Sequence, residues 1–250
     1  AQYNYDRYSF LTDSDSNLSN NGNILVSMNI NSAYVEEKSL FYDITVRYKN
    51  TRLGQEFPDS NRRGVTENFV KLKGTVGSTF DIHRVNVDMN IQLATYFNMK
   101  DYTTGVVELT PSYEIDRPWV KARIGAKFGT TYGISGDSEQ EDIGVENNIF
   151  PDFDARFTLI DKSLWIRTVV TGGEDLNNMS YLAGQCPLVD ILTNTCFGVR
   201  EVDSRLSVES VIIGRLSFNL LGSFVLYSDR LYFAPVMDGS PLSRIQAAYV

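Results

Sequence analysis

The stretch Arg84 to Leu93, RVNVDMNIQL, alternates without a break. Val85, Val87, Met89, Ile91 and Leu93 fall on one side of an extended chain, and Arg84, Asn86, Asp88, Asn90 and Gln92 fall on the other. A period of two predicts a β-strand with one apolar and one polar face. The pattern recurs. Ile24, Val26, Met28 and Ile30 share a face, as do Tyr42, Ile44, Val46 and Tyr48. Val70, Leu72 and Val76 oppose Lys71 and Lys73, and Val107, Leu109, Tyr113 and Ile115 oppose Glu108 and Glu114. Val120, Ala122, Ile124, Ala126 and Phe128 oppose Lys121, Arg123 and Lys127, while Phe153, Ala155, Phe157 and Leu159 oppose Asp152, Asp154 and Arg156. LWIRTVV, VIIGRLSFNL, SFVLYSDRLYF and SRIQAAYV read as further strands.

The expectation is all-β: roughly 10–12 antiparallel strands in one domain over residues 1–250, many of about 9–11 residues, the length of a tilted membrane strand. Short turns are expected at Asp116–Trp119, Ile160–Ser163 and around Gly222, with longer polar loops at 50–66, 131–147 and 173–206. Short turns alternating with long loops fit an up-and-down transmembrane β-barrel. No stretch shows a convincing amphipathic helical period.

Either face of such strands can meet water. In a soluble sandwich the apolar face is the core; in a membrane barrel it meets lipid and the polar face lines a lumen. The polar face carries both charge signs at mid-strand, which suits a solvated sandwich face or a salt-bridged lumen. The lumen-facing candidates are Lys71, Lys73, Arg84, Asp88, Glu108, Lys121, Arg123, Lys127, Asp152, Asp154 and Arg156. Trp119, Phe128, Phe150, Trp165, Tyr96, Phe97 and Tyr132 lie near strand ends, as interfacial aromatic girdles do.

Composition narrows the choice. The chain is 42% apolar and 22% charged, too apolar for disorder. Its mean hydropathy is −0.20, and no stretch approaches the ~18 apolar residues of a membrane helix. A net charge of −8 and the lack of a basic cluster beyond Arg62–Arg63 argue against nucleic acid as a partner. Cys186 and Cys196 share one loop and would pair with each other in an oxidising compartment.

No catalytic constellation stands out. His83, the single histidine, precedes the alternating strand and reads as turn or lumen filler. DSDSN (Asp13–Asn17) begins like a calcium loop but has Leu18 and Ile24 where Gly and Glu are needed. GDSEQED, with Asp137, Glu139, Glu141 and Asp142, reads as an acidic loop tip. Asp152 and Asp154 with Arg156 look like a charge ladder rather than a glycosidase pair. No metal site and no cofactor are expected.

GVVELTPSYEI, NIFPDFDARFTLIDKSLWI, TGGEDLNNMSYLAGQCPLV and LGSFVLYSDRLYFAP resemble segments of a Bacteroidetes outer-membrane β-barrel family, described as TonB-dependent-receptor-like or porin-like. The family's Gly-x-Lys strand end is similar to Gly125–Lys127, and its Pro-Asp strand to Ile149–Asp152. Its Gly-Gly segment and the loop after it correspond to Gly172 through Cys186–Pro187, and its RYSFD strand to YDRYSF. Cys186 stands where the family pattern has Asn, which with Cys196 implies a locally stapled loop.

The resemblance implies a non-enzymatic barrel in the outer membrane of a Gram-negative bacterium. It would act as a porin-like channel, or as an accessory subunit of a nutrient-uptake or barrel-assembly complex. Its partners would be outer-membrane lipid and lipopolysaccharide, joined in the subunit reading by other barrels or lipoproteins. Family members are longer, so this chain is expected to supply part of a barrel. No plug domain or TonB box is recognisable in it.

Overall fold

The structure is a computed structural model. It describes residues 2–11, 16–32, 40–56, 62–97, 102–134, 143–161, 163–186, 189, 196–212, 216–235 and 245–249. Eleven strands form one antiparallel up-and-down sheet in chain order. They are β1 (Gln2–Leu11), β2 (Ser16–Asn31), β3 (Leu40–Glu56), β4 (Arg62–Phe80), β5 (His83–Phe97), β6 (Tyr102–Arg117), β7 (Val120–Ile134), β8 (Ile143–Ile160), β9 (Leu164–Asn177), β10 (Cys196–Ile212) and β11 (Leu216–Asp229). A short helix, α1 (Met179–Gln185), lies between β9 and β10, and β12 (Leu231–Pro235) pairs with β13 (Ile245–Tyr249) in a second, two-stranded sheet. The all-β, up-and-down expectation holds. The large sheet is open: β1 and β11 are its edges.

The strands are longer than expected. β3 to β9 run 14 to 19 residues, through much of what the sequence reads as loops at 50–66, 131–147 and 173–206. In those stretches the pattern of the strand centres is lost, with Leu53 and Val65 inward and Arg52 outward, so pairing continues where the alternation no longer shows it. VIIGRLSFNL is not one strand, because β10 ends at Ile212 and β11 begins at Leu216, and Gly222 lies within β11 rather than at a turn. The β4–β5 connection is tight. Asp81 takes a positive φ of 58°, a left-handed conformation that Asp tolerates, and Asp116 N–H closes on the Ile82 carbonyl at 2.9 Å.

Register fixes the faces. On β5, Val85 and Val87 are exposed while Asn86 and Gln92 are buried, at 3% and 6% exposure. Outward on the other strands stand Val26, Met28, Tyr42, Val76, Leu109, Ile124 and Phe128, all exposed. The polar face is concave. Bonds cross it between strands that are not neighbours: Arg123 on β7 to Asp88 on β5, Lys127 on β7 to the Gly172 carbonyl on β9, and Glu174 N–H on β9 to Glu108 on β6. Polarity is thus inverted relative to a soluble sandwich, with apolar side chains outside and charges within the curl.

Candidate functional site

The concave face is the candidate site. Cross-strand register places every lumen candidate on it. Lys71 pairs with Gln92, Lys73 with Asn90, and Asn90 with Glu108. Arg84 pairs with Glu114, Glu114 with Arg123, and Arg123 with Asp154. Lys121 pairs with Arg156.

Arg123 is the hub. Its Nη2 is 2.5 Å from Asp88, its Nε 2.8 Å from Asp152 and its Nη1 3.9 Å from Glu114. The planar guanidinium reaches three carboxylates from different strands, which a lysine ammonium could not do in one geometry. Arg84 adds a pair to Glu114 at 3.7 Å. Arg167 grips Asp154 through two bonds of 2.9 and 2.6 Å, and Arg205 grips Asp203 through two of 2.9 and 2.6 Å. Lys121 pairs with Asp116 at 2.9 Å near the short-turn end, and Arg156 stacks over Trp165 at 4.8 Å. A cavity of about 460 Å³ lies beside the hub, lined by Lys73, Asp88, Glu108, Arg123, Lys127 and Asp152 among others.

Two glycines make room for this network. A Cβ on Gly129 would stand 2.8 Å from Glu174 Oε2, and one on Gly173, whose φ is +154°, 2.9 Å from both Glu108 Oε1 and Lys127 Nζ. Glu174 is buried, bonded to Asn148 at 2.7 Å, and packed against the wall these glycines leave open.

Toward the long-loop end the concave face changes character. Leu53, Val65, Ala94, Tyr96 and Val106 point inward there, and Leu176, Met179, Leu182, Ala183 and Val189 pack onto them. The segment after β9 folds back into the curl and stoppers that end. Its helix begins at Asn178, whose side chain accepts from Tyr181 N–H. Two further helix amides, free of intrahelical partners by position, are met by the wall: Met179 N–H donates to Tyr96 Oη and Ser180 N–H to Glu67 Oε2, each at 3.2 Å. Glu67 is fully buried, and that burial raises its carboxyl above the usual range. It lies beyond the apolar outer band; the residues beside it on the outward face are Thr66 and Asn68.

The aromatic girdle needs correction. Phe128 and Phe97 are exposed on the outer face and Trp119 is exposed in the β6–β7 turn, whereas Tyr96 and Phe150 are buried, 2% and 4% exposed, and face inward with Trp165. Parity decides this. Tyr96 falls in step with Gln92 on β5, and Phe150 with Asp152 on β8. The sequence marks neither Glu67 nor the helix, and it marks Tyr96 only as a girdle aromatic. One signal was present: Met179, Leu182 and Ala183 sit at i, i+3 and i+4 after a capping Asn178.

Cys186 is a free thiol, half-buried against the stopper cluster. The expected bridge to Cys196, whose side chain lies outside the described residues, is therefore not made in this structure. GDSEQED and most of DSDSN also lie outside them. His83 sits at the short-turn end with Nδ1 against Tyr113 Oη. Among the described residues no group of three or more His, Cys, Asp or Glu is arranged to hold a metal ion, and no helix is long and apolar enough to cross a membrane. No family model, no curated protein and no solved structure matches the chain.

Proposed function

We propose that this sheet is the wall of an integral outer-membrane β-barrel of a Bacteroidetes-like Gram-negative bacterium. It is non-enzymatic and works as a porin-like channel with a hydrated, mixed-charge lumen and a stopper at its long-loop end. The inverted polarity of the sheet carries the reading. Exposed side chains such as Ile24, Val87, Ile124, Phe128 and Ile149 form an outward band, while Arg123 and its carboxylates lie inside. In water that band would be an extended apolar surface with no cover; in lipid it is ordinary. Phe97, Trp119 and Phe128 suit the interfaces. Lipid and lipopolysaccharide are then the immediate surroundings.

A second reading has its own support. β11 is an edge strand exposed along its whole length, carrying Leu216, Phe218, Leu220, Leu221, Phe224 and Val225. A long apolar edge calls for a partner strand. The chain is then an accessory subunit among other barrels or lipoproteins, in nutrient uptake or barrel assembly.

Extraction of the protein from its outer membrane in mild detergent, followed by native mass analysis and planar-bilayer conductance, separates the two. A lone barrel that conducts supports the channel. Stoichiometric co-migration with other membrane proteins and no conductance supports the subunit. Recovery in the soluble fraction overturns both.

A further inference from the structure

The charges of the concave face do not balance locally. The carboxylates near its centre are engaged: Asp88, Asp152 and Glu114 by Arg123, Asp154 by Arg167, Glu108 by Asn90 and Lys127, and Asp175 by Arg200 at 3.2 Å. On the wall formed by β3 and β4 the situation is reversed. Arg47 and Lys71 are direct cross-strand partners, and Lys73 is the next inward residue on β4, opposite Thr45. Like charges directly opposite each other on a sheet repel. Among the described residues no ion pair or hydrogen bond engages any of the three. Asp43, the nearest acid along β3, accepts from Asn29 at 2.7 Å. The third row of the same patch, on β5, supplies the side-chain amide of Gln92 opposite Lys71, while Asn90, opposite Lys73, donates to Glu108 at 2.7 Å. The acids that face the block, Asp175 and Glu108 beside Lys71 and Asp88 and Asp152 across the cavity from Lys73, are themselves paired with Arg200, Lys127 and Arg123, so a chain of net charge −8 keeps a basic block with no ion pair of its own inside its curl.

We propose that Arg47, Lys71 and Lys73, with the amide of Gln92, form a binding site for a small soluble anion bearing clustered phosphate or carboxylate groups. Two ammoniums and a guanidinium on adjacent strands match several anionic oxygens at once, and the Gln92 amide adds a neutral donor. Low-dielectric walls focus the positive potential into the curl. The site's role, drawing anionic solutes into a lumen, rests on the porin-like reading; the binding itself does not.

The test uses the full chain in detergent micelles at low ionic strength, titrated calorimetrically with sodium tripolyphosphate. Wild type is expected to bind saturably, and more weakly as sodium chloride is added. The double variant K71Q/K73Q is expected to bind at least about tenfold more weakly, through loss of charge-assisted contacts. R117Q, at an exposed position at the short-turn end of β6 outside the lumen-facing set, is expected to bind as wild type does. Thermal unfolding gives an independent readout. Without ligand, K71Q/K73Q is expected to melt at or above the wild-type temperature, because unpartnered repulsion is removed. Tripolyphosphate is expected to raise the melting temperature of wild type but not of the double variant. No saturable binding, equal affinity in the double variant, or a fall in its ligand-free melting temperature overturns the site. A protein that binds tripolyphosphate but does not conduct in a planar bilayer keeps the site and loses the channel.

Discussion

Replacing Leu182 by Ala tests whether the segment after β9 is a packed stopper. Leu182 is 0% exposed and lies in the cluster with Leu53, Val65 and Tyr96 from the wall. Alanine is the best helix former, so the substitution does not weaken α1 intrinsically and its effect reports packing. Truncating a fully buried Leu costs about 2–5 kcal/mol. If the stopper opens as a local unit, that cost falls on its opening equilibrium. Each 1.4 kcal/mol is a factor of ten, so the amides of α1 should exchange about thirtyfold to a few thousandfold faster. Leu182 N–H and Cys186 N–H, bonded at 3.0 Å to Asn178 O and 2.9 Å to Leu182 O, are the reporters. Hydrogen exchange followed by mass spectrometry on the full chain in detergent reads them, with β5 to β8 as internal reference. An acceleration below about threefold would mean that Leu182 is not holding the segment. Equal acceleration in β5 to β8 would mean that the segment is not a separable unit.

Three further outcomes are expected. Tyr96→Phe removes the acceptor of Met179 N–H and leaves a buried donor unmet, at about 1–3 kcal/mol; exchange should rise about fivefold to a hundredfold in the stopper peptide alone. Glu67 gives the stopper a pH dependence. Its carboxyl is held above the usual range by burial, so the closed state binds the proton more tightly than the open one. Closure should be strongest in the ordinary carboxylate range, weaken as pH rises through the raised value, and level off above it; Glu67→Gln should abolish that dependence once intrinsic exchange is corrected. Arg123→Gln strands Asp88, Asp152 and Glu114, which are only partly shielded from water, and should cost about 2–4 kcal/mol, seen as a lower melting temperature in detergent. Arg123→Lys should recover part of the loss, since one ammonium cannot serve all three carboxylates.

The centre of each strand was legible and its upper end was not. RVNVDMNIQL announces β5 because lipid-type and water-type residues alternate there. At the long-loop ends outward residues such as Asn50, Arg52 and Thr130 are polar while inward ones such as Leu53 and Leu176 are apolar, so the phase of the alternation is broken and the strand no longer reads through. The break between β10 and β11 was misplaced at Gly222, since the stretch around 213–215 keeps apolar residues close on both sides. The charge ladder was legible as a set of faces, but its pairings were not. Arg123 meets Asp88 across two strand steps, a distance that depends on how tightly the sheet curls. Glu67 was invisible as a site residue: what buries it is Ser180 and its neighbours, 113 residues away. Nearness to a strand end suggests an interfacial place for Tyr96 and Phe150, but parity with Gln92 and Asp152 turns both inward.

The most direct measurement scans a nitroxide spin label through residues 84–93 in the protein reconstituted into bilayers, comparing collisions with oxygen and with a water-soluble nickel chelate. Labels at Val85, Val87, Met89 and Ile91 are expected to favour oxygen, and labels at Asn86, Asp88 and Asn90 the chelate, in strict alternation. Chelate access at Val87 and Met89 together with occlusion at Asp88 and Asn90 would place water on the apolar face and contradict the membrane barrel.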